Sequence, residues 1–248
     1  MRQAMKPTLG MLLAPLLALA APAFAGCDDA PAPAVDWAGC SKKLISLRGA
    51  DLAGANFSEA NLSGTDLREA SLPKAVMDRA NLAQTWLNGA NMAGASMFKA
   101  FGYGTDLSGA DLSGAKLNYL ELYRSVFVGA KLQGADLSNA SLPRADFTGA
   151  DLSGAVLAKA DIMRANFAGA DLSGASLARA IIARSAFKDA KLADSDWTAA
   201  FLYKTNLSGA DLSGVKNLTQ HQVEEACGDG ATILPAGITA PAVWPCAD

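Results

Sequence analysis

The chain has 248 residues, with 21 Lys+Arg against 24 Asp+Glu, one His and four Cys. A net charge of −3 gives no global attraction to nucleic acid or an anionic membrane, and a single histidine leaves little for a His-based centre. Hydrophobic residues make up 51% of the chain, mostly Ala and Leu in a regular pattern.

The first element reads as a leader. Arg2 and Lys6 form a positive start, MLLAPLLALA is a short apolar run, and Ala23-Phe24-Ala25 fits the small-x-small cleavage rule. The run is too short for a comfortable membrane span and contains Pro15. Residues 1–25 are therefore expected to be a signal peptide, and the mature chain periplasmic or secreted. Its 19 Lys+Arg would stand against 24 Asp+Glu, a net −5. Phe24-Ala25-Gly26-Cys27 also resembles a lipobox with an unusual Phe, so a lipid anchor on Cys27 at the envelope is the alternative. Four cysteines in an exported chain suggest two disulfides. Cys27 and Cys40 lie in an N-terminal cap, residues 26–44, and Cys227 and Cys246 in a C-terminal one, residues 215–248. Lipidating Cys27 would leave Cys40 without its nearest partner. No later stretch is long and apolar enough to span a bilayer.

From Ile45 to Gly214 the chain counts in fives without an insertion. The third place of each pentad is a large apolar residue, broken only at Gly102, and the first is Ala in 25 of 34 pentads. The second place is mostly polar, often Asp or Asn. Helices turn every 3.6 residues and strands alternate every 2, so neither alone keeps these leucines on one side. A small and a large apolar residue two apart share one side of an extended segment. Repeating that side inward requires a turn after every pentad, hence a chain coiled around its own core in a parallel β-solenoid. The exceptions set the number of sides. Phe127, Phe147, Phe167 and Phe187 are spaced by 20, as are Arg124, Arg144, Arg164, Arg184 and Lys204. Twenty residues are four pentads, so each coil is expected to have four sides.

The pattern Ala-(Asp/Asn)-Leu-x-x over residues 45–214 resembles the pentapeptide repeat family, with a weaker match from Val35 in which Lys42 falls on a core place. The resemblance implies an all-β fold, a right-handed quadrilateral parallel β-helix. Nine coils at about 4.8 Å each give a rod of roughly 43 Å. Its ends need covering. At the C-terminal end Thr219 and Gln222 fit a capping box, predicting a short helix over the last coil, followed by a tail held by Cys227–Cys246.

Candidate sites are few. Glycines along two corners fit turns with positive φ. Asp51, Asp111, Asp151, Asp171 and Asp211 form an acidic column interrupted by Lys131 and Lys191, read as solvated repeat residues. The family includes cytoplasmic members whose acidic face imitates DNA and binds DNA gyrase; the leader and the interrupted column argue against that role here. Arg124, Arg144, Arg164, Arg184 and Lys204 should stack along one corner, and are the candidate binding surface for an acidic protein or an anionic envelope polymer. Phe101-Gly102-Tyr103, with Phe98 and Tyr123 near, forms an aromatic cluster that Phe201 and Tyr203 repeat. His221 falls on the predicted helix, and no catalytic, cofactor or metal constellation stands out. The expectation is an exported, non-enzymatic scaffold that needs no cofactor and does not bind nucleic acid. The alternative is a gyrase-binding DNA mimic in the cytoplasm.

Overall fold

The computed structural model describes residues 26–246. The expected leader, residues 1–25, lies outside the described residues. Regular elements are short: β1 (Phe101–Tyr103), β2 (Glu121–Tyr123) and α1 (Gln220–Glu224). The rest of the solenoid is held by isolated parallel bridges that pair residue i with i+20, as in Asp51↔Ser71, Asn56↔Val76, Asn61↔Asn81 and Asp66↔Trp86. These four columns of bridges are named here in chain order by their central residues. The first wall holds Trp37 and Phe57, the second Leu62 and Leu82, the third Leu47 and Leu67, the fourth Leu52 and Leu72. The coil register reaches back to Asp36↔Asn56.

Backbone hydrogen bonding explains the pentad. In the fourth wall, Asp171 N–H donates to the Ala150 carbonyl, Leu152 N–H to Asp171, and Gly154 N–H to Ser173, at 2.7–2.9 Å. Ala155 N–H closes the turn onto the Leu152 carbonyl at 2.9 Å. That leaves the fourth place without a backbone acceptor. Ser153 N–H finds one in the Asp151 carboxylate, two residues earlier, at 3.0 Å. The same bond recurs at Asp51, Asp111, Asp171 and Asp211. Buried or turn-locked N–H groups require a partner, and Asp or Asn supplies it locally. The acidic column is thus accounted for by turn chemistry.

Inside, the third-place residues form a continuous buried stack. Phe127, Phe147, Phe167 and Phe187 lie one over another, with ring centroids 4.7, 4.8 and 4.8 Å apart and interplanar angles of 11°, 4° and 9°. A 20-residue coil and no other period gives that superposition. Gly102 is the inward exception for a steric reason. A Cβ there would sit 2.9 Å from Ala83 N and from the Leu82 carbonyl carbon, so only glycine lets this wall close onto the coil before it. Phe101 and Tyr103 flank it in the extended β1, paired in register with β2, and both rings point outward. Leu120, the large residue in an Ala place, is fully buried.

The two ends are built differently from the middle. At the start, Cys27 and Cys40 form a disulfide with Cα atoms 5.5 Å apart. Lys42, on its core place, sits with Nζ 3.7 Å from the Trp37 ring centroid and donates to the Cys27 carbonyl at 2.5 Å. At the other end, α1 follows Lys216 and stands where a second-wall pentad would come, since Lys204 N–H donates to the Glu225 carbonyl at 2.7 Å. The chain then resumes bridging at Asn206↔Cys227 and Asp211↔Ile233. Thr219 and Gln222 form the capping box. The buried Gln222 carboxamide also donates to the Trp197 and Ala200 carbonyls, both at 2.9 Å; the Ala200 carbonyl is the acceptor that a further coil would use. Cys227 and Cys246 close the tail, Cα atoms 4.9 Å apart. No helix among the described residues is long and apolar enough to cross a membrane.

Candidate binding face

The second wall departs from the other three. Its fourth place reads Tyr103, Tyr123, Pro143, Met163, Ala183 and Tyr203, with no Ser or Asp between. Pro143 has no N–H to satisfy, and Phe101, Glu121, Ser141, Ile181 and Phe201 stand where the third and fourth walls mostly carry the turn-capping Asp or Asn. Of the capping bonds only Asp161 to Met163 N–H, 3.1 Å, remains in this stretch. Phe101, Tyr103, Tyr123, Met163, Ile181, Phe201 and Tyr203 are all exposed, and together they make an apolar strip along six coils.

Cations line one long edge of this strip and recur on the other. One edge carries Arg124, Arg144, Arg164, Arg184 and Lys204, the column expected from their spacing, all exposed. The opposite edge carries Lys99, Tyr119, Asn139, Lys159 and Arg179, which the sequence reading missed. The available signal was an absence: glycine fills the corners on either side of the fourth wall but not those beside the second. Every corner residue bordering the second wall from Tyr119 to Lys204 is a non-glycine at φ between 51° and 61°. Between Gly109 and Gly209, the corners of the fourth wall break their glycine run only at Asp189 and Asp194. A left-handed backbone costs an L-residue about 1–2 kcal/mol relative to its ordinary conformation. The cationic edge is partly supported from beneath. The buried hydroxyls of Thr85, Thr105, Ser185 and Thr205 donate to second-wall carbonyls of the coil before, at 2.7–2.9 Å. Each such bond contributes about 0.5–1.5 kcal/mol.

The charges are not neutralised. Elsewhere the protein pairs charges between coils, as in Arg48–Glu69 at 2.6 Å, Arg79–Glu59 at 3.2 Å and Lys216–Asp194 at 2.9 Å. Among the described residues, Arg144, Arg164, Arg184 and Lys204 form no ion pair, and neither do Glu121 and Asp161 beside them. Exposed like charges one coil apart repel by up to about 1 kcal/mol per pair in water. Arg124 is held differently. Its guanidinium lies 6.0 and 5.5 Å from the Tyr103 and Tyr123 ring centroids, and Nη1 donates to the Tyr103 hydroxyl at 3.3 Å. The two tyrosines stack at 5.8 Å and 22°. Across the strip, Lys99 lies over Phe98 and Tyr119, and at the far end Lys204 lies over Tyr203 at 5.5 Å. An open depression of about 510 Å³ between Phe101, Tyr103, Glu121, Tyr123 and Pro143 marks one end of the strip. His221 is exposed on α1. Among the described residues, no group of three His, Cys, Asp or Glu is placed to hold a metal ion.

Fold and repeat together define a solenoid repeat protein. The chain belongs to the pentapeptide repeat family, whose model matches eight copies over residues 45–78, 75–101, 105–142, 140–179 and 185–216. Comparison with curated proteins gave no match. Among solved structures, the chain is similar to HetL, a pentapeptide repeat protein involved in heterocyst differentiation regulation from the cyanobacterium Nostoc. The identity is 29%, covering 82% of this chain and 91% of that one, with a TM-score of 0.43. It is also similar to QnrB1, a plasmid-mediated fluoroquinolone resistance protein (19% identity, 81% and 90% covered, TM-score 0.40). A pentapeptide repeat protein of the Arabidopsis thaliana thylakoid lumen matches at 28% identity over 62% of this chain and 72% of that one, TM-score 0.18.

Proposed function

We propose that this protein is an exported, non-enzymatic scaffold of the cell envelope, a right-handed quadrilateral rod closed at its C-terminal end by α1, that binds an anionic partner along its second wall. One observation carries the reading: a column of unneutralised cations, Arg124 to Lys204, faced by Lys99, Lys159 and Arg179, borders an exposed, largely apolar strip where the fold itself favours glycine and Asp. Residues that stability does not select call for another cause, and surface recognition is the one their chemistry fits. Export is supported by the leader sequence and by the two disulfides, which persist in oxidising compartments. A polymer or an acidic protein of the envelope is the class of partner that such a surface attracts.

Fractionation of cells producing the full chain tests this reading. The expected product is a periplasmic or secreted protein that starts at Gly26 and has no free thiol. An uncleaved cytoplasmic chain with reduced cysteines, inhibiting the supercoiling activity of DNA gyrase, would replace it with the DNA-mimic alternative.

A further inference from the structure

The second wall also limits what the partner can be, given the reading above. Its backbone has no free edge to offer. Phe101 N–H is bonded to Ala80, Ser141 to Leu120, Asp161 to Ala140 and Arg144 to Met163, all within the coil stack. An extended peptide therefore has no main chain to pair with, which is the usual source of its affinity. A bilayer is a poor fit as well. The apolar residues are only partly exposed, from Met163 at 37% to Phe201 at 51%, with Ala183 buried between them and Arg or Lys side chains beside them at the edges. Single-stranded nucleic acid stacks bases on open rings, whereas Tyr103 and Tyr123 stack on each other and Arg124 packs against both.

What remains is a mostly apolar floor, broken by Glu121, Ser141 and Asp161, between the regular column Arg124–Lys204 and a facing edge that carries cations at Lys99, Lys159 and Arg179, running the length of six coils. We infer that the occupant is a linear acidic polysaccharide lying along the rod, with the C–H faces of its sugars on the floor and its carboxylates at the edges. Sugar rings are apolar on their faces and carry polar groups around the rim, which is the same division as the wall. A chain of six-membered rings advances roughly 5 Å per sugar, close to the ~4.8 Å between stacked strands, so carboxylates turned to alternate sides of the chain stay in step with the coils and can meet cations at both edges. Four of the five cations on the better-ordered edge are Arg, whose planar fork suits a carboxylate. Equal spacing fits a polymer of identical units better than the irregular charges of a protein segment.

The test is binding of purified protein to polygalacturonate, by calorimetry at low salt. Arms with fully methyl-esterified polygalacturonate, vesicles rich in phosphatidylglycerol and an oligothymidylate run beside it. Polygalacturonate is expected to bind, the ester not. Arg144→Glu/Arg164→Glu should weaken binding at least tenfold, and so should Lys159→Glu/Arg179→Glu on the facing edge. Lys131→Glu on the fourth wall should leave it within twofold. Thermal melting of each variant shows that it is folded. Equal binding of the ester, insensitivity to both double variants, or tighter capture of vesicles or oligothymidylate would overturn the assignment, as would no binding at all. If export holds and polygalacturonate fails, only the polysaccharide falls; a chain kept in the cytoplasm removes the envelope reading whatever the polymer does.

Discussion

The second and fourth walls lie on opposite sides of every coil, are built from the same pentad and share one core, yet they follow different rules on the outside. The fourth wall caps its turns with Asp151, Asp171 and Asp211 and turns its corners on glycine. From Phe101 to Lys204 the second wall keeps only Gly104 and the Asp161 cap of these devices, and shows aromatic rings and unpaired cations instead. The interior is equally buried behind both: Leu132, Leu152 and Leu172 on one side and Leu122, Leu142 and Ile162 on the other are all at 0% exposure. Gly102 apart, the difference therefore lies in the surface. In a solenoid the core fixes the shape, and each wall is then free to keep or abandon the residues that make its turns comfortable.

That comparison presumes one continuous core, which gives the largest expected effect. Phe147 is sandwiched between Phe127 and Phe167. Phe147→Ala removes a fully buried ring with no neighbour able to fill its place, and should cost about 3–5 kcal/mol. Urea unfolding followed by circular dichroism measures it. A loss below about 1 kcal/mol would mean that the coils do not share a packed centre. Next in size are the ends. Replacing Cys227 and Cys246 by Ser opens a loop whose ends are 19 residues apart and should cost about 3 kcal/mol. Only neighbouring coils touch, so amide exchange should rise first around Asn206 and Cys227 and leave Leu152 protected. Uniform loss of protection would show that the rod unfolds as a single unit.

Much of this was legible in the sequence, because the period of five admits few backbones. The stacked phenylalanines and the column from Arg124 to Lys204 follow from spacing alone, and the structure has them where spacing requires. The chemistry of the second place was not legible. Asp in a repeat reads as solvated charge until the orphan N–H two residues later is known. The facing edge at Lys99, Lys159 and Arg179 was missed because the eye follows what recurs. Its signal is a glycine that fails to recur at two corners out of four. The position of α1 was also beyond the sequence. Thr219 and Gln222 announce a helix, but that Gln222 would reach the carbonyls of Trp197 and Ala200 depends on how α1 lies over the last coil.

The corner residues sharpen the contrast at about 1 kcal/mol each. Arg164 stands at φ 60°, so Arg164→Gly relieves a left-handed L-residue and should raise the melting temperature by about 2–4 °C. Gly154 on the fourth wall has φ 64° and open space around its missing Cβ, so Gly154→Arg should lower it by a similar amount through the backbone alone. Opposite signs for opposite walls are the expectation. If Arg164→Gly proves neutral or destabilising, the arginine column is part of what holds the rod together and its claim to a separate role weakens.

The smallest effect is set by acid, and it should reach the walls unequally. Hydrogen bonding from the Arg68 guanidinium holds the Asp66 carboxyl at about 2, and the Ser213 hydroxyl and amide hold Asp211 below the usual range. Unfolded, such groups titrate near 3.9. A carboxyl that is more acidic in the folded state contributes stability that is complete above about pH 4 and is lost as pH falls through its folded value. Melting temperatures should therefore decline between pH 4 and pH 2 at low salt. Asp66→Asn keeps an oxygen for the Arg68 N–H and loses the guanidinium pair, so it should differ from the parent at pH 7 and converge with it near pH 2. Amide exchange, corrected for intrinsic rates, should quicken at Ser153 and Ser213, which lean on carboxylates. It should stay unchanged at Arg144, whose N–H meets the Met163 carbonyl at 2.9 Å. Acid would then loosen the fourth wall's turns while the second wall, which keeps only the Asp161 cap, had little of that kind to lose. Equal quickening at all three amides would mean that the two walls are fastened alike.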